Sequence, residues 1–137
     1  MKNPLNYGTL FRTAQLFGAD FIFLIGKRFK PQTSDTMKSY KHLPCYHYDT
    51  FEDFQKARPY GAMLVGVELD DKAEPLTTFA HPKQSIYLLG AEDYGLPKEI
   101  LSKCQKIVKI PFGSQSLNVS TTGSIVLYDR LAKKELK

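Results

Sequence analysis

The chain of 137 residues holds only two cysteines and three histidines. Cys45 and Cys104 lie far apart and form no C-x-x-C pair, so a disulfide framework is excluded and two free, buried thiols are expected. The histidines fall into no Ser/His/Asp or Cys/His arrangement of the kind that nucleophilic catalysis requires. His42-x-x-Cys45-x-His47 offers three donor atoms without a fourth, at a spacing that matches no common zinc finger, and no metal is expected. His81, beside Pro82 in a polar stretch, reads as a surface residue. No apolar run reaches the roughly 18 residues of a membrane span, and no charged stretch followed by an apolar segment opens the chain. The expectation is a cytosolic protein without a membrane anchor. The G-x-G-x-x-G dinucleotide fingerprint and the P-loop are both missing, which counts against the commonest α/β nucleotide-binding enzymes. Internal repeats, low-complexity tracts and linkers are absent too. Residues 1–137 therefore read as one domain, with 42% hydrophobic residues to build its core.

What is present is unevenly charged. Residues 1–48 carry seven Lys/Arg against two Asp/Glu, 49–99 five against ten, and 100–137 seven against two, so a net +5 is the sum of +5, −5 and +5. Two basic ends flanking an acidic middle suit a polyanionic partner such as RNA, although charge of this size also occurs on proteins that never meet nucleic acid.

Apolar runs of strand length alternate with amphipathic segments of helical length, the pattern of an α/β fold with a mostly parallel sheet and flanking helices. Phe21 to Ile25, Met63 to Val67, Ile86 to Leu89 and Ile107 to Ile110 read as strands covered on both faces, with a short one around Tyr46. Helices are expected from about Gly8 to Phe17, stopped by Gly18, and from Phe51 to Ala57 with Thr50 as N-cap. Two more are expected from Pro97 to about Ser102, with the proline in the first turn, and from about Val119 to Lys133. The stretch from Gly26 to Pro44 has no period and interleaves Lys27, Arg28, Lys30, Lys38 and Lys41 with Phe29, Tyr40 and His42. It reads as a long functional loop whose cations contact RNA phosphates.

Three stretches carry chemistry. In Asn6-x-Gly8-x-x-x-Arg12 the arginine sits one turn along a helix beginning near Gly8, where its planar fork can grip a phosphate at two points. Gly8 would leave the backbone open to close approach. The second stretch leaves a buried strand at Leu89 and turns through Gly90-Ala91-Glu92-Asp93-Tyr94-Gly95 into a helix start. Its two glycines would let main chain pass close to a ligand, and the helix start supplies free N–H groups. The third stretch leaves a strand at Ile110-Pro111-Phe112, crosses Gly113-Ser114-Gln115 and enters the last helix through Ser116-Leu117-Asn118-Val119-Ser120. Serine and asparagine at a helix start are ordinary N-caps and carry little weight alone. Tyr7, Phe11 and Tyr94 flank these turns, where aromatic residues more often belong to the core than stack on a base.

In this order and spacing, Asn3-Pro4-Leu5-Asn6-Tyr7-Gly8 through Arg12-Thr13-Ala14, Leu89 through Leu96, and Ile110 through Ser120 resemble the signature of the SpoU/TrmH branch of the SPOUT RNA methyltransferases. The resemblance spans the chain from Asn3 to about Arg130. It implies an α/β fold with a C-terminal trefoil knot, S-adenosylmethionine as methyl donor, and a ribose 2′-hydroxyl of tRNA or rRNA as acceptor. It assigns Arg12, Asn6, Ser116 and Asn118 to catalysis. It assigns Val67, Leu89, Gly90, Glu92, Gly95, Ile110, Phe112, Ser116, Leu117 and Asn118 to the cofactor. Glu92 is the matching acid, and anchoring backbone amides is as good a role for it as orienting the site.

The resemblance gives Arg12 the central role. A guanidinium with a pKa above about 12 and no acceptor lone pair makes a poor base, so holding the phosphate beside the target ribose and stabilising the alkoxide suits it better. Two features depart from relatives. Only Met1 and Lys2 precede Asn3 where a strand is usual, so either the chain is shortened at its start or the sheet lacks that edge. Thr121-Thr122-Gly123 replaces small apolar residues in the last helix. Relatives of this size imply a homodimer through the knot region and the terminal helix, with Ile125, Tyr128 and Leu131 on one face. A catalytically inactive RNA- or cofactor-binding protein of the same fold is the rival, and the intact motif residues weigh against it.

Overall fold

The computed structural model describes residues 4–26, 43–90, 95–111 and 118–135, with the backbone alone at 4–7 and 135. The basic loop residues Lys27, Arg28, Lys30, Lys38 and Lys41, and the motif residues Glu92, Phe112, Ser116 and Leu117, lie outside the described residues. The chain divides into two compact units, Met1–Arg58 and Pro59–Lys137.

The first unit opens with helix α1, Pro4–Leu16. Its start is one turn earlier than expected because proline tolerates the first turn, where its missing N–H would have no partner. Gly8 is consequently inside the helix and buried rather than at an open helix start. Gly18 ends α1 in a left-handed conformation, φ +80°. The Ala19 N–H donates to the Ala14 carbonyl (2.9 Å) and the Gly18 N–H to the Gln15 carbonyl (3.2 Å), the paired bonds of a Schellman stop. Strands β1, Ile22–Ile25, and β2, Cys45–Tyr48, pair in parallel from Ile22↔Cys45 to Ile25↔Tyr48. Thr50 caps α2, Phe51–Ala57, by accepting from the Asp53 N–H at 3.1 Å. Phe54 is 1% exposed, stacks on Phe23 with ring centroids 4.1 Å apart and takes the edge of Tyr48. Phe11 is buried core, as its position suggests.

The second unit carries a four-stranded sheet in the order β4-β6-β3-β5, all of it parallel. Its strands are β3 (Met63–Val67), β4 (Glu74–Pro75), β5 (Ser85–Leu89) and β6 (Lys106–Lys109). Between them lie a 3-10 turn at Leu76–Thr78 and the single helical turn α3, Lys98–Leu101, and α4, Val119–Glu135, closes the chain. Pro97 is the N-cap of α3 rather than part of its first turn. The two-residue β4 leaves no periodicity to detect in sequence. Val65, Val67, Leu76, Phe79, Val108 and Val126 form the core, with Tyr87, Leu89, Ile110 and Ile125 packed against it. Each fully buried side chain of this kind contributes about 1.5–3 kcal/mol. Ile125 packs partly against this core, whereas Tyr128 is exposed. Gly123 lies on the buried face of α4 between Val119 and Val126. Neither cysteine is in a disulfide, and both are half-buried rather than buried. Desolvation pushes the Cys104 thiol pKa up, only partly offset by the Gly66 backbone.

His81 is not a surface residue. Its side chain is 5% exposed, with Nδ1 at 2.7 Å from the Tyr87 hydroxyl and Nε2 at 2.7 Å from Asp129 Oδ2. Lys133 Nζ lies 2.8 Å from the same carboxylate oxygen and donates to the carbonyls of Leu76 and Phe79. Arg130 donates to Pro82 O and Lys83 O, each at 2.7 Å, and to the Tyr87 hydroxyl at 3.0 Å. These bonds tie α4 to the 3-10 turn and to the entry of β5. They satisfy polar groups that would be costly to bury unpaired.

Candidate functional site

Parallel pairing brings the carboxyl ends of three strands level. Val67 pairs with Leu89 and with Val108, and the Glu68 N–H donates to the Val108 carbonyl at 3.1 Å. Val67, Leu89, Gly90 and Ile110 therefore stand at one edge of the sheet, the edge at which open α/β folds bind ligands. Val67 is buried, while Leu89, Gly90 and Ile110 keep partial exposure.

The turn after β5 is closed at its base. A Cβ built on Gly90 would lie 2.2 Å from Gly95 C and 2.4 Å from Leu96 N, so main chain meets main chain there. Gly95 has φ +67°, and a Cβ on it would lie 2.2 Å from Glu68 Oε2. Gly90 is required by main-chain packing, and Gly95 by its left-handed backbone.

Glu68 was not singled out in the sequence. Its Oε2 accepts from the Leu96 N–H at 2.6 Å and its Oε1 from the Leu69 N–H at 3.1 Å. The available signal was its place, an acid directly after a buried strand at the ligand-binding edge.

At the third stretch, Asn118 caps α4: Oδ1 accepts from the Ser120 N–H at 2.8 Å and the Thr121 N–H at 3.3 Å. Its side chain is exposed and its Nδ2 amide takes no part in the cap. In the first unit, Asn6 and Arg12 both lie on α1, and Arg12 is exposed one turn beyond Gly8. Among the described residues no three His, Cys, Asp or Glu side chains group as a metal site.

The model of the SpoU rRNA Methylase family matches residues 1–128. The chain is 29% identical over 148 residues to the mitochondrial rRNA methyltransferase 1 of Dictyostelium discoideum, covering 98% of this chain and 28% of that protein. It is 24% identical over 138 residues to a tRNA (guanosine(18)-2'-O)-methyltransferase of Mus musculus, covering 94% of this chain and 9% of that one. The crystal structure of an AdoMet-bound rRNA methyltransferase from Sinorhizobium meliloti superposes with a TM-score of 0.82 at 30% identity, over 98% of this chain and 53% of the other. The chain spans only part of these relatives.

Proposed function

This chain belongs to the SpoU rRNA Methylase family, and from that we propose that it transfers a methyl group from S-adenosylmethionine to a ribose 2′-hydroxyl of tRNA or rRNA. The observation that carries the reading is the level carboxyl edge of β3, β5 and β6, where Val67, Leu89, Gly90 and Ile110 come together from three strands. These residues fit the cofactor. Half-buried Leu89 and Ile110 offer apolar surface for an adenine, and the turn closed at Gly90 and Gly95 offers backbone groups at a fixed place. Gly95, Phe112, Ser116, Leu117 and Glu92 join the set through the motif. When bound, the cofactor supplies a methyl on a cationic sulfonium.

The chain's own work is positioning and charge. Arg12 grips the phosphate beside the target ribose through its two-pronged fork and stabilises the developing alkoxide. Asn118 has its Oδ1 committed to the cap of α4, so its contact with the reacting groups falls to Nδ2. The family motif adds Asn6 and Ser116 to the catalytic residues. Holding the hydroxyl in line with the methyl donor accounts for most of the catalysis such a site needs. The cations Lys27, Arg28, Lys30, Lys38 and Lys41 hold the RNA backbone. The protein works as a homodimer in the cytosol, with Tyr128 of α4 in the subunit contact.

Nucleoside mass spectrometry of tRNA and rRNA from cells with and without the gene tests this reading. One 2′-O-methylnucleoside should vanish when the gene is deleted and return with the wild-type chain. Unchanged 2′-O-methylation in both RNA fractions would refute it.

A further inference from the structure

Glu68 occupies the point where three segments of the second unit meet. Its backbone N–H belongs to Val108 of β6, which fixes it as the continuation of β3. Its carboxylate reaches 28 residues along the chain to the Leu96 N–H at 2.6 Å. Gly95, held at φ +67°, passes so close to that carboxylate that no side chain fits between them. The same Gly95–Leu96 main chain presses on Gly90 at the end of β5. The base of the turn thus rests on Gly90 on one side and on Glu68 on the other.

We propose that Glu68 is a positioning residue for cofactor binding: its carboxylate clasps the Gly95–Leu96 backbone against Gly90 and fixes these backbone groups where the cofactor would meet them. This rests on the reading of that turn as part of the S-adenosylmethionine site. A carboxylate suits the task because a charge-assisted bond to a backbone N–H is about twice as strong as a neutral one. A side chain at position 95 would displace the carboxylate, in addition to the strain that φ +67° places on any residue but glycine. Glu68 does not touch the reacting atoms. Its effect passes through the main chain of Gly95 and Leu96.

Calorimetry with S-adenosylhomocysteine on the wild-type chain and on Glu68→Ala and Glu68→Gln, each shown to be folded by circular dichroism, tests the proposal. Glu68→Ala should weaken binding on the order of tenfold, the scale of one lost charge-assisted bond, and amide exchange at Leu96 should quicken with no ligand present. Glu68→Gln keeps an acceptor oxygen and should stay within about threefold of wild type. If Glu68→Ala does not fold, Glu68→Thr carries the same expectation, because threonine suits a strand end and is too short to reach Leu96. Wild-type affinity in the folded Ala or Thr variant would overturn the clasp, as would a Gln variant as weak as Ala. A wild-type chain that fails to bind S-adenosylhomocysteine would instead overturn the cofactor reading itself, and the proposal with it.

Discussion

Replacing Gly90 with alanine should be among the most damaging single-methyl changes in the second unit. The added Cβ would stand 2.2 Å from Gly95 C, 2.4 Å from Leu96 N and 2.7 Å from Gly95 Cα. Carbon atoms in good contact sit roughly 3.5–4.0 Å apart, so the overlap exceeds an ångström, and every clashing atom is backbone. Relief requires moving the base of the turn off the end of β5, which also breaks the Glu68 bond to Leu96. Overpacking costs typically about 1–3 kcal/mol, occasionally more, and a clash against main chain belongs near 3. For a chain of this size that lowers Tm by roughly 10 °C.

Two other glycines separate the causes. At Gly66 a Cβ would lie 3.1 Å from Cys104 Sγ and from Leu101 Cδ2, side-chain ends that can give way, so Gly66→Ala should cost under about 1 kcal/mol. At Gly18 nothing lies within 4 Å, and only the left-handed backbone opposes a side chain, worth about 1–2 kcal/mol. Thermal and urea unfolding followed by circular dichroism should rank the losses Gly90 > Gly18 > Gly66. If Gly90→Ala unfolds with the wild type, or no earlier than Gly66→Ala, the closed turn is wrong.

Further outcomes follow from other residues. Burial lowers the His81 pKa, outweighing the bond and charge of Asp129 that would raise it. The folded state then binds this proton less readily than the unfolded chain, so stability is complete above the ordinary histidine value of about 6.5 and falls as the pH drops below it. Melting curves from pH 8 to 5 should show that loss, and His81→Gln should flatten it; a wild type that gains stability in acid would contradict the assignment. Asn118→Ala should lose about 1 kcal/mol with the cap of α4. Asn118→Asp should restore Tm without restoring methyl transfer if Nδ2 serves the substrate, and recovery of both would reduce Asn118 to a cap. Replacing Lys27, Arg28 and Lys30 together should make the slope of log affinity for RNA against log salt shallower by about 0.7–0.9 per lost phosphate contact. An unchanged slope would return these cations to ordinary surface charge.

The sequence revealed those features whose cause is local. Met63–Val67 reads as a buried strand from its own apolar run, and Phe51–Ala57 as a helix from Thr50 and its spacing, and both stand at those bounds. Features whose cause is distant could not be read. His81 looked like surface because its partner Asp129 is 48 residues away, and Glu68 gained no meaning until Leu96, 28 residues on, folded back to it. Gly90 and Gly95 are the intermediate case. Two glycines around a turn are visible in the sequence, but the chain atoms nearest an added side chain, from Gly95, Leu96 and Glu68, are shown only by the fold. Helix α1 starts a turn before Gly8 because Pro4 already suits the first turn.

On the proposed reading this chain methylates a ribose oxygen of RNA and Arg12 grips the phosphate beside it. The most direct measurement incubates the purified chain with S-adenosylmethionine carrying a deuterated methyl group and unmodified tRNA or rRNA, then digests the RNA and analyses the nucleosides by mass spectrometry. The label should appear on the ribose of one nucleoside with the wild-type chain. It should be lost with Arg12→Ala and be largely lost with Arg12→Lys, which keeps the charge but not the two-pronged grip, while both variants still bind S-adenosylhomocysteine. Label on a base, or near-normal ribose labelling by Arg12→Ala, would contradict the account at its centre.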